Sequence, residues 1–196
     1  NLIDNGKLHA ISVAQWSRLF KHLNLPEEEL DTMTQRLLLA SASSASGESG
    51  QQTPLAPQTV ANLAWLGLSS ATLQAIAPFV TLLPVRTPVN LNTAPPEVLM
   101  ASVPGLDLAQ ARQLVQSRAD KPLDTLSDAQ TRLANPEVRL DAAQHAVTSR
   151  YFEVTGQLRL GKNTVQERSV LQRDGLDVKT LSRTREVVTD LGPPLQ

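Results

Sequence analysis

The apolar residues of this chain follow two different periods, and the switch near residue 150 constrains the fold more than any single motif. Before the switch they recur at three- and four-residue spacings: Trp16, Leu19, Phe20 and Leu23, then Leu30, Met33 and Leu37, then Leu73, Ile76 and Phe79 or Val80. Such rows line one face of a helix. After it, Phe152, Val154, Leu158 and Leu160 fall on one side of a two-residue period. Gly161-Lys162-Asn163 then supplies a turn, Thr164 to Arg173 a return strand, and Asp174-Gly175 a second turn into Leu176 to Arg183. That is the pattern of an antiparallel meander. At the other end, the turn signal Asn5-Gly6 precedes Lys7 to Ile11, which alternates as a strand does. A strand, then helices, then a meander predict an α+β chain. Its helical domain, 13–149, is inserted into an antiparallel sheet formed by the chain ends, 1–12 and 150–196.

Local signals set the expected element ends. Ser12 is placed to cap the first helix, and Pro26 followed by Glu27, Glu28 and Glu29 opens the second, with acids at the positive end of its dipole. Residues 41–52 (SASSASGESGQQ) carry no apolar period and predict a flexible loop. A helical pattern resumes over Gln58 to Leu66, with Gly67 as its stop, and over Ser70 to Val80, where Pro78 ends or bends it. Leu126 to Ala134 predicts a further short helix, whereas Asn135 to Ser149 fits neither period.

Composition excludes several functions. A formal charge of −1 creates no global field for a polyanion, and the absence of cysteine removes disulfides and thiolate metal sites. No run of about 18 apolar residues occurs, and Asn1 to Asp4 is neither signal peptide nor span. Either the protein is cytosolic or its membrane segment has been removed. Aromatic residues are 3% of the chain, so Leu, Val and Ala must build the core. His9, His22 and His145 lack metal-ligand spacing, and no Gly-x-Ser-x-Gly elbow, phosphate-binding glycine loop or working carboxylate pair is present. No catalytic residue is expected. Between Arg150 and Arg185 there are 8 basic and 4 acidic residues, but only Tyr151 and Phe152 offer rings for stacking on bases.

The most informative stretch is Val89 to Leu99 (VNLNTAPPEVL). Thr93 is placed to cap a helix, Pro95 and Pro96 lack only N–H groups that a first turn leaves unpaired, and Asn90 and Asn92 brace the entry loop. Val103-Pro104-Gly105-Leu106 makes a tight turn. A second helix carries Leu108, Ala111, Leu114, Val115 and Arg118, with Ala111 small enough for close approach. The whole reads as a helix-hairpin-helix. Elements of this kind bind DNA phosphates when glycine-rich turn amides face outward beside basic residues. Here the turn has one glycine with Asp107 beside it. Between Asn24 and Ser149, 7 Lys and Arg stand against 12 Asp and Glu, a balance of −5 that repels a polyanion. A DNA-binding hairpin is the competing reading.

Leu82-Leu83-Pro84, then VNLNTAPPEVL, then Pro104-Gly105-Leu106 with Ala111 and Arg118 resemble the α-domain of the K-type minor pseudopilins of type II secretion systems. Asp4 to Leu8 is similar to that family's first strand. Ser149 to Phe152 and Ser169 to Arg173 are similar to its closing meander. The resemblance implies a pseudopilin-like sheet carrying a large helical insertion and no enzymatic activity. It implies an inner-membrane anchor through an N-terminal helix missing here, with the globular part in the periplasm. It also implies assembly with I-type and J-type minor pseudopilins at the pseudopilus tip, possible contact with secreted cargo, and no nucleic-acid partner. In that family an Asp-Trp-aliphatic-Asp stretch accompanies calcium, which needs several carboxylates. Here Ala64 precedes Trp65 and Glu48 is the only acid between Ser41 and Pro96, so no cofactor or metal is expected.

Overall fold

The computed structural model describes residues 2–4, 6–46, 56–133, 135–160 and 163–188. They form a mixed α+β protein that divides into two compact units, 1–147 and 148–196.

The first unit opens with two short antiparallel strands, β1 (Ile3–Asp4) and β2 (Lys7–Leu8), joined through Gly6 at a φ of 73°. The expectation that the chain ends share one sheet is not met among the described residues. β1 bonds to β2, and the C-terminal sheet has three strands of its own. The reason is local. A two-residue connection closes the pair on itself, and the His9 amide then donates to the Leu2 carbonyl at 2.8 Å, handing the chain directly to a helix.

That helix, α1 (Ala10–His22), takes its cap from His9 rather than Ser12: the His9 Nδ1 accepts from the Ser12 amide at 3.2 Å. The alternation through Ile11 is too short to hold a strand against this cap, so β2 stops at Leu8. Asn24, left-handed at φ 53°, ends the α1 turn. The next helix, α2 (Glu27–Ser46), runs through residues 41–46, which were expected to be loop. Alanine is the strongest helix former, and extending an existing helix costs far less than starting one. The remainder of that expected loop, 47–52, lies outside the described residues. A 3-10 helix (Val60–Leu66) ends at Gly67, whose φ of 104° and closeness to Thr32 admit only glycine: a Cβ there would lie 2.9 Å from Thr32 Cγ2. Then comes α3 (Ser70–Ile76), capped by Ser69 and finished before Pro78. Leu2, Phe20, Leu30, Met33, Leu63, Leu66, Leu68 and Ile76 form the core of this half.

The other half of the unit contains β3 (Val89–Asn90), α4 (Pro96–Ser102), α5 (Leu108–Asp120), α6 (Leu126–Leu133) and β4 (His145–Ala146), with β3 and β4 paired in parallel. Its core is Leu91, Leu99, Val103, Leu106, Ala111, Leu114, Leu123, Ala129, Leu133 and Val138. Ala111 is fully buried where α5 packs on α4.

The second unit is a meander of β5 (Tyr151–Leu160), β6 (Asn163–Asp174) and β7 (Asp177–Val188) in that order, all antiparallel. Gly175, at φ 63°, turns β6 into β7. The expected turn at Gly161-Lys162 lies outside the described residues. Phe152, Val154 and Leu158 do share one side of the pleat, and they are exposed there.

A direct check on which residues make the core is truncation. Leu99→Ala, at a fully buried position, is expected to cost about 2–5 kcal/mol in urea denaturation. Leu158→Ala, 70% exposed, is expected to stay within about 0.5 kcal/mol of the parent.

Candidate functional site

The loop 91–94 between β3 and α4 belongs to no ladder or helix, so its backbone groups need partners from elsewhere. Asn92 ties the loop to segments distant in the chain. Its Nδ2 donates to the Leu123 carbonyl at 2.9 Å and to the Val147 carbonyl at 2.8 Å, while its Oδ1 accepts the Leu123 amide at 2.8 Å. One carboxamide thereby joins the loop to the segment after α5 and to the strand end beyond β4. Asn90 acts inside the loop: its Oδ1 accepts the Asn92 amide at 3.0 Å, and its carbonyl accepts the amides of Thr93 and Ala94.

Arg118, one turn from the end of α5, holds the loop from the opposite side. Its Nη1 donates to the Leu91 carbonyl and its Nη2 to the Ala94 carbonyl, the latter at 2.7 Å. Burial lowers the guanidinium pKa, yet arginine remains charged. A rigid planar fork with several donors is the group that can serve two carbonyls three residues apart; an ammonium is a single point.

Thr93 does not cap α4. It is exposed, and the N-cap position belongs to Pro95, with Pro96 as the first helical residue. Proline's fixed φ starts the helix without a side-chain acceptor, and the Leu99 amide closes on the Pro95 carbonyl at 3.0 Å. The turn from α4 to α5 exposes Pro104 and Gly105, the latter at φ 79°, and buries Leu106. Asp107 caps α5 in a reciprocal box with Gln110, accepting its amide at 2.8 Å. The site residues expected from sequence, Asn90, Asn92, Thr93, Ala94, Pro104, Gly105, Ala111 and Arg118, therefore lie along one continuous loop–helix–turn–helix element. Asn90, Asn92, Ala94 and Arg118 are joined there by hydrogen bonds. Thr93 contributes only backbone.

Further polar residues give this element its neighbours, and no periodicity in the sequence marks them. Arg132 of α6 forms a bidentate pair with Asp128, at 2.8 Å for the shorter contact, and donates to the carbonyls of Ser117, Lys121 and Pro122. That hydrogen bonding holds the Asp128 carboxyl below its ordinary range. From α1, Arg18 Nε donates to the Ala101 carbonyl at 2.7 Å and Gln15 to the Ser102 carbonyl. Buried His145 lies 3.4 Å from the same Ser102 carbonyl. Among the described residues no three His, Asp or Glu side chains converge where a metal ion would sit, and no helix is long and apolar enough to cross a membrane.

The element just described falls within residues 89–149, the segment that matches the family model "Type II secretion system (T2SS), protein K". Over a longer alignment the chain is 30% identical across 201 residues to type II secretion system protein K of Pseudomonas aeruginosa, and that alignment covers 95% of this chain. The chain spans 60% of that relative's length. Family model and relative agree with the resemblance drawn from the sequence, whose VNLNTA run lies inside the segment the family model matches.

Because Asn92 and Arg118 grip the same loop, their effects are expected to be coupled. Asn92→Ala and Arg118→Lys should each cost about 1–3 kcal/mol in urea denaturation. A double-mutant cycle should give an interaction energy of about 0.5–3 kcal/mol. Simple additivity would show that the two side chains act independently.

Proposed function

We propose that this chain is the globular part of a K-type minor pseudopilin, a structural and non-catalytic component at the tip of the type II secretion pseudopilus. The observation that carries this reading is the coincidence of the protein K match with the half-unit closed by Asn92 and Arg118. The relative matched over 95% of the chain bears the same name. Residues 13–149 act as the helical domain of a pseudopilin, inserted between the strands of 1–12 and those of 150–196. The protein is anchored in the inner membrane by an N-terminal helix and faces the periplasm. It assembles with the I-type and J-type minor pseudopilins, and its helical domain caps the fibre and meets secreted cargo. Shape and apolar burial drive assembly, on the order of 1,200–2,000 Å² for a stable interface.

The structure also speaks against the competing hairpin reading. A phosphate bound at the α4–α5 turn would have to lie at the N-terminus of α5, where the Asp107 carboxylate already accepts the Gln110 amide. An anion seated beside that carboxylate is repelled.

Size-exclusion chromatography with light scattering tests the proposal on this chain mixed with the globular domains of I-type and J-type pseudopilins from the same secretion locus. A discrete one-to-one-to-one species is expected. If the chain stays monomeric beside two well-folded partners, the assembly role is wrong. Steeply salt-dependent DNA binding, lost when Gly105 is altered, would instead establish the hairpin reading.

A further inference from the structure

One buried titratable group, His145, lies outside the loop contacts that explain the candidate site, and its surroundings define its chemistry atom by atom. The ring is 2% exposed. Its Nδ1 accepts the Asp141 amide at 3.1 Å, so in the neutral ring the proton is on Nε2, which faces the Ser102 carbonyl at the end of α4, 3.4 Å away. The same Ser102 carbonyl accepts Gln15 of α1 at 3.3 Å, and the adjacent Ala101 carbonyl accepts Arg18 at 2.7 Å. The ring therefore lies where α1, which belongs to the first hydrophobic core, meets α4, which belongs to the second. Its own backbone starts β4, whose neighbours hold β3: the Val89 amide donates to the Gln144 carbonyl and the Leu91 amide to the Ala146 carbonyl.

We propose that His145 is a proton-operated latch, and that protonating its ring opens the 141–147 turn and loosens both the β3–β4 pair and the α1–α4 contact. The reason is an incompatibility of donors. A protonated imidazole carries N–H on both nitrogens, so Nδ1 can no longer accept the Asp141 amide, and two donors then face each other in a buried place. The added charge has little to stabilise it. Cations already reach this junction from two elements: Arg18 from α1, whose Nη2 is buried without a hydrogen-bond partner, and Arg86 from the stretch before β3, on the Ala143 carbonyl at 3.5 Å. α4 offers only main-chain carbonyls there, already engaged by Arg18 and Gln15. Among the described residues, Asp141, in the ring's own turn, is the one acid facing it, and its Oδ1 accepts the Ala143 amide.

Burial accordingly pushes the imidazole below its ordinary value, more strongly than its hydrogen bonds and Asp141 raise it. The sign follows. Below about pH 6.5 an opened turn binds a proton that the closed turn does not, so acid favours opening, and above that value the latch is indifferent to pH.

Amide hydrogen exchange of the chain at pH 7.5 and pH 5.5, corrected for intrinsic rates, tests this against His145→Gln, which keeps one donor and one acceptor but cannot titrate. In the parent, protection of the Asp141, His145 and Val89 amides is expected to fall about tenfold at the lower pH. In the variant it should not change. Equal falls in both proteins, or no fall in either, would overturn the latch. Should the variant fail to fold, ¹⁵N NMR of the parent ring decides. An Nε2–H tautomer that titrates below its ordinary value, in step with loss of the Asp141 amide signal, supports it. A ring that titrates at the ordinary value without disturbing that amide refutes it.

Discussion

The first unit depends on one constraint: the irregular backbone of 91–94 buries Leu91 and Ala94, whose carbonyls have no strand or helix backbone as partner. Leu91 is fully buried there and Ala94 nearly so. An unpaired buried carbonyl costs about 1–3 kcal/mol, comparable to a large part of a domain's net stability. Arg118 removes that cost at Leu91 and Ala94, and together with Asn92, whose side chain pairs with Leu123 and Val147, it joins β3, α5, the 121–125 connection and the end of β4. The apolar cluster of Leu91, Leu99, Leu114 and Leu123 closes around the same loop. Polar satisfaction and core packing thus depend on the same few residues.

The same solution recurs. Arg18 serves the carbonyl of Ala101 near the end of α4, and Arg132 those of Ser117, Lys121 and Pro122 around the end of α5. Helix C-termini leave carbonyls without intrahelical partners and carry the negative end of the dipole, so a guanidinium there gains hydrogen bonds and favourable charge together. In a chain with few aromatics and no cysteine, these arginine-to-carbonyl contacts do much to make short helices, some of only seven residues, hold one arrangement. By contrast, the arginines of the C-terminal sheet are exposed and mostly paired with carboxylates: Arg168 with Glu153, Arg183 and Arg185 with Glu167. Such pairs contribute little to stability, and Arg183 and Arg185 share the one Glu167 carboxylate, so the basic excess of the ribbon remains.

How much of this was legible in the sequence follows from the range of each interaction. Apolar period and local stop signals are short-range, and they gave the stripes of α1 and α2, the stop at Gly67, the end of α3 before Pro78 and the three-strand meander. Caps are also local but have several candidates. His9 does what Ser12 was expected to do, and Pro95 stands where Thr93 was expected, because an imidazole nitrogen or a proline φ can replace a hydroxyl. Residues 41–46 look like loop by the absence of apolar residues, yet Ala and Ser continue a helix that Leu30 and Met33 have already fixed. Two-residue strands carry no period at all, so neither the parallel pairing of β3 with β4 nor the closure of β1 on β2 could be read. Within the candidate site, Asn90 and Asn92 were found as braces, but their partners at Leu123 and Val147 lie 31 and 55 residues away. Arg118 was marked as part of a helical face and of the hairpin motif, without its partners at Leu91 and Ala94. His145 gave no signal, since a buried histidine and an exposed one look the same in sequence.

The central claim is that the 91–94 loop is as firmly held as the core around it, despite having no regular structure. Native-state hydrogen exchange at pH 7.5 under increasing denaturant tests this most directly through the Leu123 amide, which donates to Asn92, and the Leu91 amide. Both are expected to exchange only with global unfolding, at the same free energy as amides in the middle of α5. If either exchanged through a small, denaturant-independent opening while α5 stayed protected, the loop would be a mobile passenger and the account would fail.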